Sequence, residues 1–372
     1  MNILIFSPGY PDNRRSDYPF VKQLVDEWAD QGHHCTVVAT YSITKNKGFC
    51  KFKSEIPHSN GGLVTILRPN ILTFSNIEIL GINLTSFFHS KGILRAIKSI
   101  KEKQDFVYCH FWQSGVDGYL YSKRYNVPLF VASGESNIEY LFRGKDNSFV
   151  PFVKGVVCVS SKNRDESVAL GLADKEKCKV FPNAVNSDLF RKLDKRACRE
   201  ELGFDQDAFI VAFVGAFKEN KGPNRLSEAL NMISGKPVYS IFIGGGTITP
   251  TASNILFKGR LLHSQIPKYL NASDVFVLPT RAEGCCNAIV EAMACGLPII
   301  SSNLPFNWDI LNRENSIMVD PNNIDEIASA IITLRDNSER RHAMSECALN
   351  TAKNLTIDKR AKSILDYIRG CM

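Results

Sequence analysis

VFVLP at 275–279, then EGCCNAIVE at 283–291 and AMACGLPIISS at 292–302, is the stretch that decides the fold. The first run is apolar and β-branched, as a strand buried on both faces must be, and a helix is predicted from Cys285 or Cys286 to Gly296, a natural stop ahead of Pro298. Glu283 then falls in the strand-to-helix loop and Glu291 about two turns into the helix. At the carboxyl end of a parallel strand, the free N–H groups of a helix start hold phosphate or sugar oxygens, and carboxylates accept hydrogen bonds from vicinal hydroxyls. The plain alternative is that the two glutamates only favour the helix dipole and face solvent. Against it, Glu291 interrupts a small apolar run (Ala288, Ile289, Val290, Ala292, Met293, Ala294), a poor place for a merely solvated charge.

Outward from this stretch, strand-like runs alternate with amphipathic segments in the manner of parallel α/β domains. ILIFSP, HCTVVA, LVTILRP, FVYCHF, PLFVASG and GVVCVS are the predicted strands of the first half, with helices such as PFVKQLVDEWADQ between them. FIVAFVGA, VYSIFIGGG, ILFKGR, VFVLPT, PIISS and the weaker SIMVD follow in the second. A Pro-Asn turn and a polar stretch put the boundary near Asn186, giving domains at 1–186 and 187–356. The last segment, 357–372, has helical spacing at Ile357, Ala361, Ile364, Leu365 and Ile368.

The 372 residues suit two domains, each able to bury its own core. Eleven scattered cysteines without a C-x-x-C pair do not suggest a disulfide framework or a zinc site, and buried thiols in a reducing cytoplasm are expected. The start has no signal-peptide pattern, and no apolar span of about 20 residues occurs, so a cytoplasmic protein that neither is secreted nor spans a membrane is expected. The net charge of +7 is compatible with anionic lipid or phosphorylated ligands without selecting either.

Five segments, in order, resemble the retaining glycosyltransferases of family 4: MNILIFSPGYP with FVKQLVDEWADQGHHCTVV; VVCVSSKNRDESVALGL with VFPNAVNSDLF; VAFVGAFKENKG; LPTRAEGCCNAIVEAMACGLPIISS; and DPNNIDEIASAI. The Glu-x7-Glu segment is the specific one. The resemblance implies an α/β GT-B fold: two facing Rossmann-like, doubly wound parallel-sheet domains with a cleft between them, the final helix crossing back to the first domain. It also implies transfer of a hexose-type sugar from a UDP- or GDP-linked donor to a glycan or polyprenyl-linked glycan acceptor in cell-surface polysaccharide synthesis, with no nucleic acid involved. The run Asp17-Tyr18-Pro19-Phe20 resembles the members that build bacterial surface polysaccharides.

Gly215 ends the first strand of the second half, and Lys218 and Lys221 follow within reach of an anion held there. Relatives carry Gly-Arg and then Lys-Gly at this spacing. The lysine matches Lys221 before Gly222, but the arginine is replaced by Ala216, and Lys218 is the candidate to supply the missing charge. Donor-binding candidates are thus Gly215, Lys218, Lys221, Arg260, Glu283, Gly284, Cys285, Cys286, Asn287 and Glu291, with a glycine run at Gly244 to Gly246 that is either a contact to the base or only a turn. Catalytic candidates are Glu283, Lys221, Glu135 and His110. Where the family has a histidine facing the donor sugar, this chain reads VASGES, so Glu135 is the candidate for that corner and His110 for its neighbour. Gly9 and Asp17, in the first strand-to-helix loop with Arg14 and Arg15, are acceptor-side candidates.

Retaining transfer in this fold rests on positioning and charge stabilisation, the donor phosphate helping to deprotonate the acceptor. No Asp-x-Asp motif stands in the loops where a divalent-metal transferase needs one, so no metal and no cofactor are expected. A glycoside hydrolase would leave the lysine loop without purpose. Two closer alternatives are a GT-B nucleotide-sugar 2-epimerase and a nucleotide-sugar-binding protein without transferase activity. SFFHSKGILRAIKSIKEK, at 86–103, reads equally as an interfacial helix on the inner face of the plasma membrane or as a packed helix with a basic outer face.

Overall fold

The computed structural model describes residues 1–12, 18–74, 78–79, 82–144 and 146–372. The chain forms two compact units. The first comprises Met1–Val159, Asn163–Phe181 and Ala361–Met372, and the second Ser160–Lys162 and Pro182–Arg360. The division thus falls at Phe181/Pro182, a few residues before Asn186, and the chain returns to the first unit at Ala361.

Among the described residues, the main sheet of the first unit has eight strands: β1 (Asn2–Phe6), β2 (His34–Val38), β3 (Lys53–Pro57), β4 (Leu63–Leu67), β5 (Phe106–His110), β6 (Leu129–Ser133), β7 (Val153–Cys158) and β8 (Cys178–Val180). Their order is β8-β7-β6-β5-β1-β2-β4-β3. All neighbours are parallel except β3, which runs antiparallel to β4. The central strands β5 and β6 are buried along their whole length, which is why they read as continuous apolar runs. β3 escapes such a reading because it lies on the edge, largely exposed, with lysine, glutamate and a terminal proline where a central strand would carry apolar residues.

The helix Pro19–Asp30 buries Val21, Leu24, Val25, Trp28 and Ala29, one stripe at helical spacing, and Pro19 at its start needs no N–H partner. Trp28 joins it to the C-terminal helix Ile357–Cys371: its Nε1 donates to Ala361 O at 3.1 Å. Further on, Tyr367 Oη donates to Lys177 O at 2.5 Å. Gly155 permits that approach, since a Cβ there would lie 2.5 Å from the Tyr367 hydroxyl. Ala361, Ile364, Leu365 and Ile368 are the buried face of the helix.

Among the described residues, the second unit has an all-parallel sheet of six strands: β9 (Phe209–Val214), β10 (Val238–Ile243), β11 (Ile255–Gly259), β12 (Val275–Leu278), β13 (Ile299–Ser302) and β14 (Ser316–Val319), in the order β11-β10-β9-β12-β13-β14. This is a doubly wound sheet whose direction reverses between β9 and β12, and ligands of such sheets bind beyond the carboxyl ends of the strands at that reversal. In the first unit the reversal lies between β1 and β5. All eleven cysteines are free thiols, most of them buried. Among the described residues no helix is long and apolar enough to cross a membrane.

Candidate functional site

Strand β12 is buried throughout, and the chain leaves it through Pro279 and Thr280. The helix beyond runs from Asn287 to Ala294 with Cys286 as its N-cap, so it starts slightly later than expected and Glu291 stands little more than one turn inside it, not two. Its end is a Schellman arrangement: Gly296 N donates to Met293 O at 2.9 Å and Leu297 N to Ala292 O at 3.0 Å, with Gly296 at φ 79°.

Lys221 comes from the other side of the reversal, at the end of the turn Glu219–Lys221 after β9. Its ammonium donates to Glu283 Oε1, which also accepts from Thr280 Oγ1 at 3.1 Å. Burial works against the charge on Lys221, but the Glu283 carboxylate holds its pKa above the ordinary lysine value. The two loops are stitched together by backbone: Arg281 N donates to Asn220 O at 2.7 Å and Thr280 Oγ1 to the same oxygen at 3.1 Å. Gly222 takes φ 75°, and a Cβ there would meet Pro279 O at 2.7 Å, so the loop geometry requires glycine. Buried Arg225 completes the seam by donating to Pro279 O at 2.8 Å and to Glu219 O at 2.9 Å.

Close approach of a third loop falls on Gly244 rather than Gly215. A Cβ on Gly215 would find only ordinary contacts at 3.6 Å or more, whereas one on Gly244, at φ 151°, would lie 1.9 Å from Gly215 O. The run Gly244 to Gly246 is therefore first of all a packing device. Arg260 is exposed, its guanidinium against Gly245, and Lys218 is exposed at the rim.

At the helix start, Gly284, Cys285 and Cys286 are buried. Asn183 Nδ2 donates to Cys285 O at 2.8 Å, fixing the loop. Burial pushes both thiols up to about 12, so they are neutral walls and not nucleophiles. Asn287 Oδ1 is buried without a hydrogen-bond partner among the described residues, a polar atom placed at the first position of the helix. Glu291, largely buried, is paired with a residue not anticipated from the sequence: His263 Nε2 lies 2.8 Å from Glu291 Oε1.

In the first unit, Glu135 follows β6 and its carboxylate turns inward. Oε1 accepts from Trp112 N at 2.7 Å and Oε2 from Gly134 N at 2.9 Å, tying the ends of β5 and β6 together. Burial pushes its pKa up to about 7 in spite of these donors. Both oxygens are thus engaged by protein, which makes Glu135 a brace of this corner more than a free arm reaching for substrate. It borders a cavity of about 380 Å³ with Tyr18, Phe111, Gln113, Ser136 and Phe142 among its walls. Phe111 has φ 72°, a conformation that costs a phenylalanine of order 1–3 kcal/mol and is found where a site demands it. His110 is buried at the end of β5, its ring 5.2 Å from Phe20 and 4.5 Å from Phe111, so it belongs to an aromatic cluster. Gly9 is buried after β1, its carbonyl accepting from Ser7 Oγ at 2.6 Å. Asp17, Arg14 and Arg15 lie outside the described residues.

The second unit thus brings together Lys221, Glu283, Gly284, Cys286 and the helix start at Asn287, and supplies Thr280, Arg225 and His263, which the sequence reading missed. His263 stands just past the predicted strand ILFKGR, three residues beyond Arg260. Its relevance depends on a partner 28 positions away, which no local pattern shows.

The family described as "Glycosyltransferase Family 4" matches residues 20–189, and "Glycosyl transferases group 1" matches residues 194–351. The chain is 25% identical over 333 residues to the Escherichia coli UDP-Gal:alpha-D-GlcNAc-diphosphoundecaprenol alpha-1,3-galactosyltransferase, covering 82% of this chain and 86% of that enzyme. Among solved structures it is similar to sucrose-phosphate synthase from Thermosynechococcus elongatus, with a TM-score of 0.77, 19% identity, and 99% and 98% of the two chains covered. It is also similar to Anabaena HepE in complex with UDP, with a TM-score of 0.75, 15% identity, and 99% of each chain covered. With the two family matches running successively through both units, and with the fold shared end to end with these structures, the chain belongs to the family 4 glycosyltransferases of the GT-B fold.

Proposed function

We propose that this chain is a retaining, metal-independent hexosyltransferase that uses a nucleoside-diphosphate sugar and acts on a glycan or polyprenyl-linked glycan in cell-surface polysaccharide synthesis. The observation that carries the proposal is the Lys221–Glu283 pair at the reversal of the second sheet, beside the helix start at Asn287. Lys221 and the helix N–H groups would hold the diphosphate. Glu283, Glu291 and Asn287 Oδ1 would accept from hydroxyls. In the transfer, the bond from the anomeric carbon to the phosphate oxygen breaks while the bond to the acceptor oxygen forms on the same face. The acceptor's proton passes to the departing phosphate. The protein's part is to fix the geometry and to meet the developing negative charge with Lys221, kept protonated by Glu283. The donor and acceptor for which the Escherichia coli galactosyltransferase is named, and UDP in the Anabaena structure, support this donor and acceptor class.

Thermal stabilisation by UDP, GDP and their sugar conjugates, with and without EDTA, tests the reading, since a ligand of the native state raises the melting temperature. A shift that survives EDTA and is lost in Lys221→Ala is expected. Binding without acceptor-dependent turnover would replace it with the non-catalytic reading.

The second part of the proposal is work at the cytoplasmic face of an anionic membrane. Helix Leu84–Ser99 has no acidic residue, and Phe87 and Leu94 stand exposed among Lys91, Arg95 and Lys98. The Arg95 guanidinium lies 4.7 Å from the centre of the Phe52 ring, which joins this face to Lys51 and to Phe49, 76% exposed. Exposed aromatic side chains among cations suit an interface of anionic headgroups over acyl chains. Co-sedimentation with phosphatidylglycerol vesicles but not phosphatidylcholine vesicles is expected, and the Lys91→Glu/Lys98→Glu protein should stay in the supernatant. Equal retention of both proteins would remove this part.

A further inference from the structure

Glu291 and His263 come from different segments. Glu291 projects from the first turns of the helix Asn287–Ala294, and His263 opens the short turn His263–Gln265 after β11. The histidine is seated from behind by Phe190, a fully buried residue whose ring centre is 4.9 Å from the imidazole. The glutamate side chain is 14% exposed and the histidine 41%, so the pair presents its open side at the histidine.

We propose that His263 is a positioning residue for the donor: it clamps Oε1 of Glu291, leaves Oε2 to accept from donor hydroxyls, and when protonated cancels the carboxylate charge beside an anionic diphosphate. This rests on the donor-site reading of Glu291. A lone carboxylate at the mouth of a diphosphate site repels its ligand, while a neutral His–Glu pair does not, and the hydrogen bond fixes which oxygen faces the sugar. The bond to Glu291 holds the His263 pKa above the ordinary imidazole value, even though burial acts the other way. The charged clamp is therefore complete on the acid side of that raised value and is lost as pH rises through it. Glu291 is the charged group that acts on the imidazole; Cys295, at the far end of the helix, has a thiol pushed well up by burial and stays neutral.

The test is calorimetric titration of the full chain with UDP and with GDP from pH 5.5 to 9, for the wild type, His263→Gln and Glu291→Ala. The wild type is expected to bind the accepted nucleotide roughly fivefold more tightly at the acid end, the size of a partly exposed ion pair. His263→Gln keeps a donor but no charge, and should lose that extra affinity and resemble the wild type at high pH. The nucleotide's own phosphate titrates equally in both proteins, so the difference between their profiles reads the histidine. A His263→Gln profile that overlays the wild type would overturn the clamp. Glu291→Ala binding as tightly as the wild type at every pH would instead overturn the donor-site reading of Glu291, and the clamp with it.

Discussion

At the carboxyl end of β12, Glu283 lies against the ammonium of Lys221, whereas at the carboxyl end of β6, Glu135 is held by the N–H groups of Trp112 and Gly134. Both carboxylates are buried beyond the carboxyl ends of strands, Glu283 at the reversal of its sheet and Glu135 one strand away from the reversal of its own. The lysine gives the first corner a fixed pair of charges, on which the proposed diphosphate site rests. The second corner has neutral donors against a carboxyl group pushed up to about 7, so its charge is marginal near neutrality and its work is to hold the loop after Phe111. The partner, more than the depth of burial, separates a carboxylate fit for ligand contact from one fit for bracing.

The sharpest way to break this contrast is Lys221→Ala. Removing the charge proposed to meet the leaving group is expected to lower kcat/KM by roughly a thousandfold, as loss of a main transition-state donor does, and Glu291→Ala to abolish measurable transfer. Circular dichroism and the unfolding transition should show both proteins folded, and transfer at the wild-type rate in either would end the corresponding role.

Next in size is the pH dependence at Glu135. Its carboxyl goes from an ordinary 4.5 to about 7 on folding, so the folded chain holds a proton that the unfolded chain has released. Its contribution to stability is full below the ordinary value and disappears as pH rises through about 7, a difference of about 3 kcal/mol between the ends of that window. Urea unfolding at pH 5 and pH 8 measures it. Glu135→Gln should flatten that part of the curve, and an unchanged slope would show that the brace is not the titrating group.

Gly244→Ala tests whether the first corner depends on loop packing as well as charge. A Cβ 1.9 Å from Gly215 O on a backbone at φ 151° should cost about 2–3 kcal/mol, read as a lower urea midpoint. Gly215→Ala, where contacts begin at 3.6 Å, should cost well under 1 kcal/mol. The smallest effect is expected from Cys286→Ser: a buried neutral thiol that only walls the site should change donor affinity by less than about threefold, and a large loss would make it a contact.

Most of the architecture was legible in the chain. Strands such as FVYCH and LFVAS are buried along their length, so the apolar run is the structure's own requirement, and Gly296 ends its helix because the Schellman turn needs a left-handed residue. Edge strand β3 was not legible, because an edge tolerates Lys53, Glu55 and Pro57 and carries no such run. Within the candidate site, Lys221 and Glu283 were legible as charged residues in strand-to-helix loops, and Asn287 and Glu291 from the helix start and the resemblance carried by the Glu-x7-Glu segment. That Lys221 closes on Glu283 across 62 residues, that His263 holds Glu291 across 28, and that Glu135 faces inward to Trp112 were decided only by the tertiary structure. Periodicity reports which face of a strand or helix is buried, because burial repeats along the chain. The partner a charged side chain meets depends on which strand ends the sheet order makes neighbours, and that order is not repeated anywhere in the local sequence.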